Sequence, residues 1–314
     1  MINFRFHLVS LIAVFLALGL GILVGSSVVD RAIVDNLERE INNVKNDSKQ
    51  AKADLKVRDD TLSKLDEYVK KSSAYAVDQR LIDVPVAIVA ERGVDAGITK
   101  ATLTMLQAAG ADVPGVFWLT GKWRLDNADD LAKLQNAVHV AGNNATARAG
   151  ALQLLARRLA QPQSTGRRRT PDVVEPLRQA GFLEFTDGDR SALTRFPRRA
   201  ARVLVITGTN SDLSGTDTVV PFVRGLVAIN AASVVGEVYD SHNGALPVPE
   251  RGASVAPIRG DSTLQKDVST VDDLELAQGQ VSAVIALEQL AGGTVGHYGY
   301  AQSASNGPLP PHPS

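Results

Sequence analysis

The hydrophobic pattern of this 314-residue chain changes period twice. Leu8 to Val29 is apolar and uncharged, Val34 to Val69 repeats every seven residues, and beyond residue 80 short apolar runs alternate with helical spacing. The first stretch holds twenty-two residues, fourteen of them Leu, Ile, Val or Phe. That length crosses a hydrocarbon core of ~30 Å as a helix. At about −0.3 to −0.6 kcal/mol each, the fourteen contribute roughly −4 to −8 kcal/mol to insertion before Gly and Ser are counted. A cleavable signal peptide with a cut near Ser26 is the competing reading. Its apolar core would usually run about 7–15 residues and end in a small-residue site, so an uncleaved signal anchor over residues 1–30 is preferred. Ala13, Ala17, Gly21 and Gly25 recur every four residues, a spacing that suits close helix–helix approach in a bilayer.

Residues 31–80 predict a coiled coil. With Val34 at position a, the a series is Val34, Ile41, Ser48, Leu55, Leu62 and Val69, and the d series is Leu37, Val44, Ala51, Arg58 and Leu65. Nine of these eleven seam positions are apolar in one register, and no Pro or Gly interrupts residues 30 to 80. The period predicts self-association, with Ser48 and Arg58 as polar seam residues of the kind that set register. Packing of the helix on its own globular domain is the alternative. Parallel pairing is expected to bring the small-residue faces of two membrane helices together as well.

From Asp83 the order of runs predicts βαβ units and a mostly parallel sheet. Val84–Ala90, Val113–Leu119, Val203–Thr207, Ser233–Tyr239 and Val281–Leu287 read as strands. Helices are expected over Ile98–Ala109, from an Asn127 cap to Val138, over Ala145–Ala160, over Val219–Ile229, and briefly from Glu288. The fold class is therefore α/β, with a transmembrane helix and coiled coil followed by a three-layer Rossmann-like domain over residues 81–303. Residues 304–314 read as a Pro-rich disordered tail. Gln161–Pro171, with three consecutive Arg, reads as a solvated loop.

Composition narrows the chemistry. A net charge of −1 offers no general attraction to nucleic acid. The absence of Cys removes disulfides, thiolate catalysis and Cys-based metal sites. Aromatic residues at 5% are too few for the girdles of a membrane barrel. The five His are dispersed and the Met are only two, so no local soft-ligand motif for copper stands out. The Gly, Thr, Asn and Ser-rich loop after Thr207 has the outline of a phosphate cradle but lacks a Walker lysine and GxGxxG. No constellation suggests catalysis, and the chain reads as not an enzyme.

The strongest local signals lie near the end: Ser269-Thr-Val-Asp-Asp273 and Gly292-Gly-Thr-Val-Gly-His-Tyr-Gly299. One reading makes Asp272, Asp273 and His297 a metal or ligand site. The favoured reading is a glycine-permitted turn in which His297 satisfies backbone groups.

These two motifs, the coiled coil and the start Phe6-His-Leu-Val-Ser-Leu-Ile-Ala-Val-Phe-Leu-Ala-Leu-Gly-Leu-Gly-Ile-Leu-Val-Gly-Ser resemble the actinobacterial copper transport protein B family, of mycobacterial copper transporter type. The resemblance runs end to end, short of the Pro-rich tail. It implies a role in copper homeostasis, as efflux through the envelope, with copper the one candidate metal and no established cofactor. It also implies a link to cell separation, with a membrane partner and envelope hydrolases.

The expected protein is a single-pass, membrane-anchored oligomer with a cytoplasmic amino end and an exported α/β domain. Its partners are the lipid bilayer and its own copies. The alternative is a scaffold or regulator of peptidoglycan hydrolases. An enzyme using Thr209 or Ser211 ranks third.

Overall fold

Val86–Glu91 (β1) is buried along its whole length, as a strand of a doubly covered parallel sheet must be. It is preceded by one long helix, Phe4–Val77 (α1). After β1 come Ala96–Ala108 (α2), Val116–Leu119 (β2), Ala128–Val138 (α3), Asn144–Ala160 (α4), Val174–Gln179 (α5) and Leu183–Thr186 (β3). The chain continues through Arg190–Leu193 (α6), Arg202–Gly208 (β4), Val219–Val227 (α7), Ser233–Val238 (β5), Ala256–Arg259 (α8), Leu264–Asp267 (α9), Val268–Val271 (β6), Ala277–Gln289 (α10) and His297–Tyr298 (β7). The structure, a computed structural model, describes residues 4–162, 172–193, 196–241 and 249–311, without the side chains of 26–32 and 192. The arginine loop at 163–171, His242 and His312 lie outside the described residues. Two compact units, 1–66 and 67–314, divide the chain.

In the second unit one seven-stranded sheet has the order β3-β2-β1-β4-β5-β6-β7. All neighbouring pairs are parallel except β2–β3. Strand alternation sends Ala87, Val89, Phe117, Val203 and Val205 into one core with α3, α4, α5 and α7. Val86, Ile88, Ala90, Leu204 and Ile206 enter the other, with α2 and α10. This is the three-layer α/β arrangement that the order of apolar runs predicts. Asn127 caps α3 by accepting from the Asp130 amide at 2.8 Å, as expected from its position.

Two expectations are corrected. Val281–Leu287 is not a strand but the centre of α10, whose residues Gly279 to Leu287 are all buried. A helix buried on every side has no polar stripe, so its period is lost. The expected tail is ordered as far as Pro311: the Ser282 hydroxyl donates to the Pro308 carbonyl at 2.8 Å, and Gln289 Nε2 donates to the Pro311 carbonyl at 2.8 Å. Both donors stand on α10.

In the first unit, Phe4–Gly25 is a 22-residue segment with mean hydropathy 2.7, long and apolar enough to cross a membrane. The rod that follows is helical throughout. Its apolar seam residues from Val34 to Leu65, Ala51 apart, are each at least 50% exposed, so the seam is uncovered within this unit. Continuity of α1 also separates two faces that were expected to coincide. Carried back in one heptad frame, the seam passes through Val9, Ala13, Leu16, Leu20 and Leu23, while Ala17 falls at e, Gly21 at b and Gly25 at f. A four-residue repeat rotates off a 3.5-residue seam, so pairing along the rod leaves Gly21 and Gly25 facing outward.

Candidate functional site

The strand order reverses between β1 and β4, and ligands of open α/β sheets bind beyond the carboxyl ends of the strands at such a point. Here those ends are acidic. Glu91 closes β1, Glu237 lies near the end of β5, and Asp272 and Asp273 follow β6; all four are fully buried.

Glu91 is held by three hydroxyls, one from β4 and two from the β4–α7 connection. Thr207 and Ser211 each donate to Oε2 at 2.7 Å, and Thr218 contacts Oε1. The Thr218 hydroxyl also lies 2.8 Å from the Ser214 carbonyl. A hydroxyl carries one proton. Given to Ser214, that proton leaves Glu91 to donate its own, which requires a neutral carboxylic acid. Burial raises the Glu91 pKa in the same sense, against the hydroxyls of Thr218, Ser211 and Thr207.

The adjoining β1–α2 turn is narrow. Gly93 has φ +95°, and a Cβ there would stand 2.1 Å from the Asn210 carbonyl oxygen. The amino end of α2, where a dinucleotide pyrophosphate would rest in this fold, is already occupied. The Asp95 carboxylate accepts from the Gly97 and Ile98 amides at 2.7 and 3.0 Å. The neighbouring cleft of about 370 Å³ includes Asp95, Asn210 and Asp240 in its lining. Two carboxylates repel a phosphate, so the phosphate outline noted after Thr207 has no cradle to match.

Across the sheet, Glu237 accepts from the Gly252 and Ser254 amides at 2.8 and 2.7 Å. Burial nonetheless raises its pKa. Arg259 ties β6 to β7: Nε donates to Thr270 Oγ1 at 2.8 Å, Nη1 to Asp272 Oδ2 at 2.9 Å and Nη2 to the Tyr298 carbonyl at 2.9 Å. Asp272 also accepts from the Tyr300 amide at 2.8 Å. Gly299, at φ +125°, is required beside it, because a Cβ would lie 2.1 Å from Asp272 Oδ1.

The structure therefore places the expected metal residues close in the fold but assigns their donors elsewhere. His297 pairs in register with Thr270. Its Nε2 lies 3.1 Å from the Gln265 carbonyl, which only accepts, so Nε2 carries the proton. Nδ1 then accepts from Thr270 Oγ1 at 3.0 Å. Both ring nitrogens are used, and burial followed by Arg259 lowers the His297 pKa, keeping the ring neutral. Asp272 is committed to Arg259. Among the described residues no group of three or more His, Asp or Glu side chains is placed to hold a metal ion. The favoured alternative, His297 satisfying a backbone group within a glycine-permitted turn, matches this geometry.

Asp273 differs from the rest. It is fully buried, and neither carboxyl oxygen has a hydrogen-bond partner. Burial first, then Asp272 and Glu275, push its pKa up to about 7, against Arg251 and Arg259. Glu91, Glu237 and Arg259 went unnoticed in the sequence. The available signal was an acidic residue ending or interrupting an apolar run, as in Ile-Val-Ala-Glu91 and Val-Val-Gly-Glu237.

The fold and its acidic sheet edge define a class: a Rossmann-like α/β domain without a phosphate cradle among the described residues, in a chain whose amino-terminal helix is of membrane-spanning length. Within that class the chain belongs to the family described as copper transport outer membrane protein, MctB, whose model matches residues 1–309. It is 26% identical to the copper transporter MctB of Mycobacterium bovis over 97% of this chain and 98% of that protein. The copper transporter MctB of Mycobacterium tuberculosis matches at the same 26% identity and coverage.

Proposed function

We propose that this protein exports copper from the cell as a non-enzymatic, membrane-anchored oligomer of the cell envelope. The observation that carries the reading is the family match across helix, rod and α/β domain together, residues 1–309. Relatives of nearly equal length named as copper transporters support it. A lone apolar helix satisfies its own backbone but encloses no path for an ion. Transport therefore needs several chains, and the exposed seam of the rod supplies the means of assembly. Arg5 and the amino terminus precede the span, which favours a cytoplasmic amino end and an exported α/β domain.

The donor chemistry shapes the mechanism. Copper(I) prefers thiolate and thioether ligands, and this chain has no Cys and only two Met. Copper would therefore pass with weak, exchangeable coordination rather than rest in a tight site, and release would be fast. The test is a deletion strain. Loss of the chain should raise cell copper and sensitise growth to copper, and the full chain should restore both. Unchanged copper content and tolerance in the deletion would overturn the reading.

A further inference from the structure

The proposed oligomer rests on the rod, and the charges beside its seam specify how two copies meet. We infer that residues 34–66 pair with a second copy of this chain in parallel and in register. In the heptad frame the g positions are Glu40, Asp47, Asp54 and Thr61, and the e positions that follow them by five residues are Lys45, Lys52, Asp59 and Asp66. Parallel in-register helices bring each g beside the e of the next heptad on the other chain. Glu40 then meets Lys45 of the second copy, and Asp47 meets Lys52, on both sides of the dimer. An antiparallel pair instead sets g against g and e against e. Aligned end to end over residues 34–66, that arrangement sets Asp47 against Asp54, Lys45 against Lys52 and Glu38 against Asp59, all like charges.

One parallel pair is unfavourable, Asp54 against Asp59, and it falls where the seam carries its only charge. Arg58 occupies d, one turn beyond Asp54 on its own helix, and a d side chain in a parallel dimer packs against the e position of its partner. There that neighbour is Asp59. The arginine that breaks the apolar seam thus neutralises the one repulsive g–e contact. The apolar seam residues on either side, Val44 at 67% and Leu62 at 62% exposure, are open to receive the second copy.

The absence of native Cys makes the test direct. In the full chain in lipid nanodiscs, Val44→Cys and Leu65→Cys variants should each form a disulfide-linked dimer under mild oxidation. Glu40→Lys should weaken association about tenfold, because it converts an attraction to a repulsion on both sides of the dimer. Adding Lys45→Glu to Glu40→Lys should restore it. A monomeric wild-type chain would overturn the oligomer reading itself. Association without cross-linking at both positions, or without rescue by the double swap, would overturn the parallel register while leaving the oligomer standing.

Discussion

Replacing Asp273 by Asn removes a titrating group while keeping its shape. The carboxyl is fully buried without hydrogen-bond partners, and its pKa stands at about 7 against an ordinary 3.8. The folded protein therefore binds this proton more tightly than the unfolded chain does. Its stabilising effect is fully present below pH ~4 and is lost as pH rises to ~7, after which the difference is constant. Three units at 1.36 kcal/mol each set the loss at about 4 kcal/mol. Glu91 and Glu237 are raised as well and act in the same sense. His297, lowered, acts oppositely, costing stability as pH falls below 6.5. The assay is urea denaturation of the full chain in detergent followed by tryptophan fluorescence. The only two tryptophans, Trp118 and Trp123, are both buried in the α/β unit, so they report on that unit alone. Near pH 4, Asp273→Asn and the wild type should have similar stability. At pH 8 the variant should be more stable, by up to about 4 kcal/mol. An unaltered pH slope in the variant would refute the assignment of this proton to Asp273.

Other substitutions probe the same edge. Arg259→Ala strips the fully buried Asp272 of its cation and should cost about 3–5 kcal/mol in the same denaturation assay. Gly299→Ala combines a φ of +125° with a Cβ placed against the Asp272 carboxylate, and should lower stability by on the order of 3 kcal/mol or prevent folding. His297→Ala should lower stability by about 1–3 kcal/mol through its two lost hydrogen bonds. Copper titration of that variant by calorimetry should match the wild type, because His297 has no free donor; a site lost with the imidazole would restore the metal reading.

The parallel sheet was legible because four of its strands, β1, β2, β4 and β5, are apolar runs set apart by helical spacing. The strands that escaped notice disobey that rule for identifiable reasons. β6 carries Ser269 and Thr270 in a fully buried strand, their hydroxyls taken by the Gly296 amide and by Arg259 and His297. β3 is four residues long at the sheet edge and alternates Leu183, Glu184, Phe185, Thr186. α10 failed in the opposite direction, since uniform burial gave a helix the appearance of a strand. The terminal motifs stood out in the sequence as a functional or structural focus. What sequence spacing could not show is that Arg259, on a four-residue helix ahead of both motifs, is the cation that Asp272 receives. Such a bridge is made by the crossing of the chain and leaves no local pattern.

Copper efflux tests the central claim most directly. Cells lacking the protein are loaded with copper, transferred to copper-free medium and sampled for cell copper over time. They are complemented with the full chain or with a chain carrying Leu37→Asp and Val44→Asp in the rod seam. The account predicts rapid loss of copper with the full chain and retention with the seam variant at equal membrane abundance. Equal efflux with and without the full chain would contradict it.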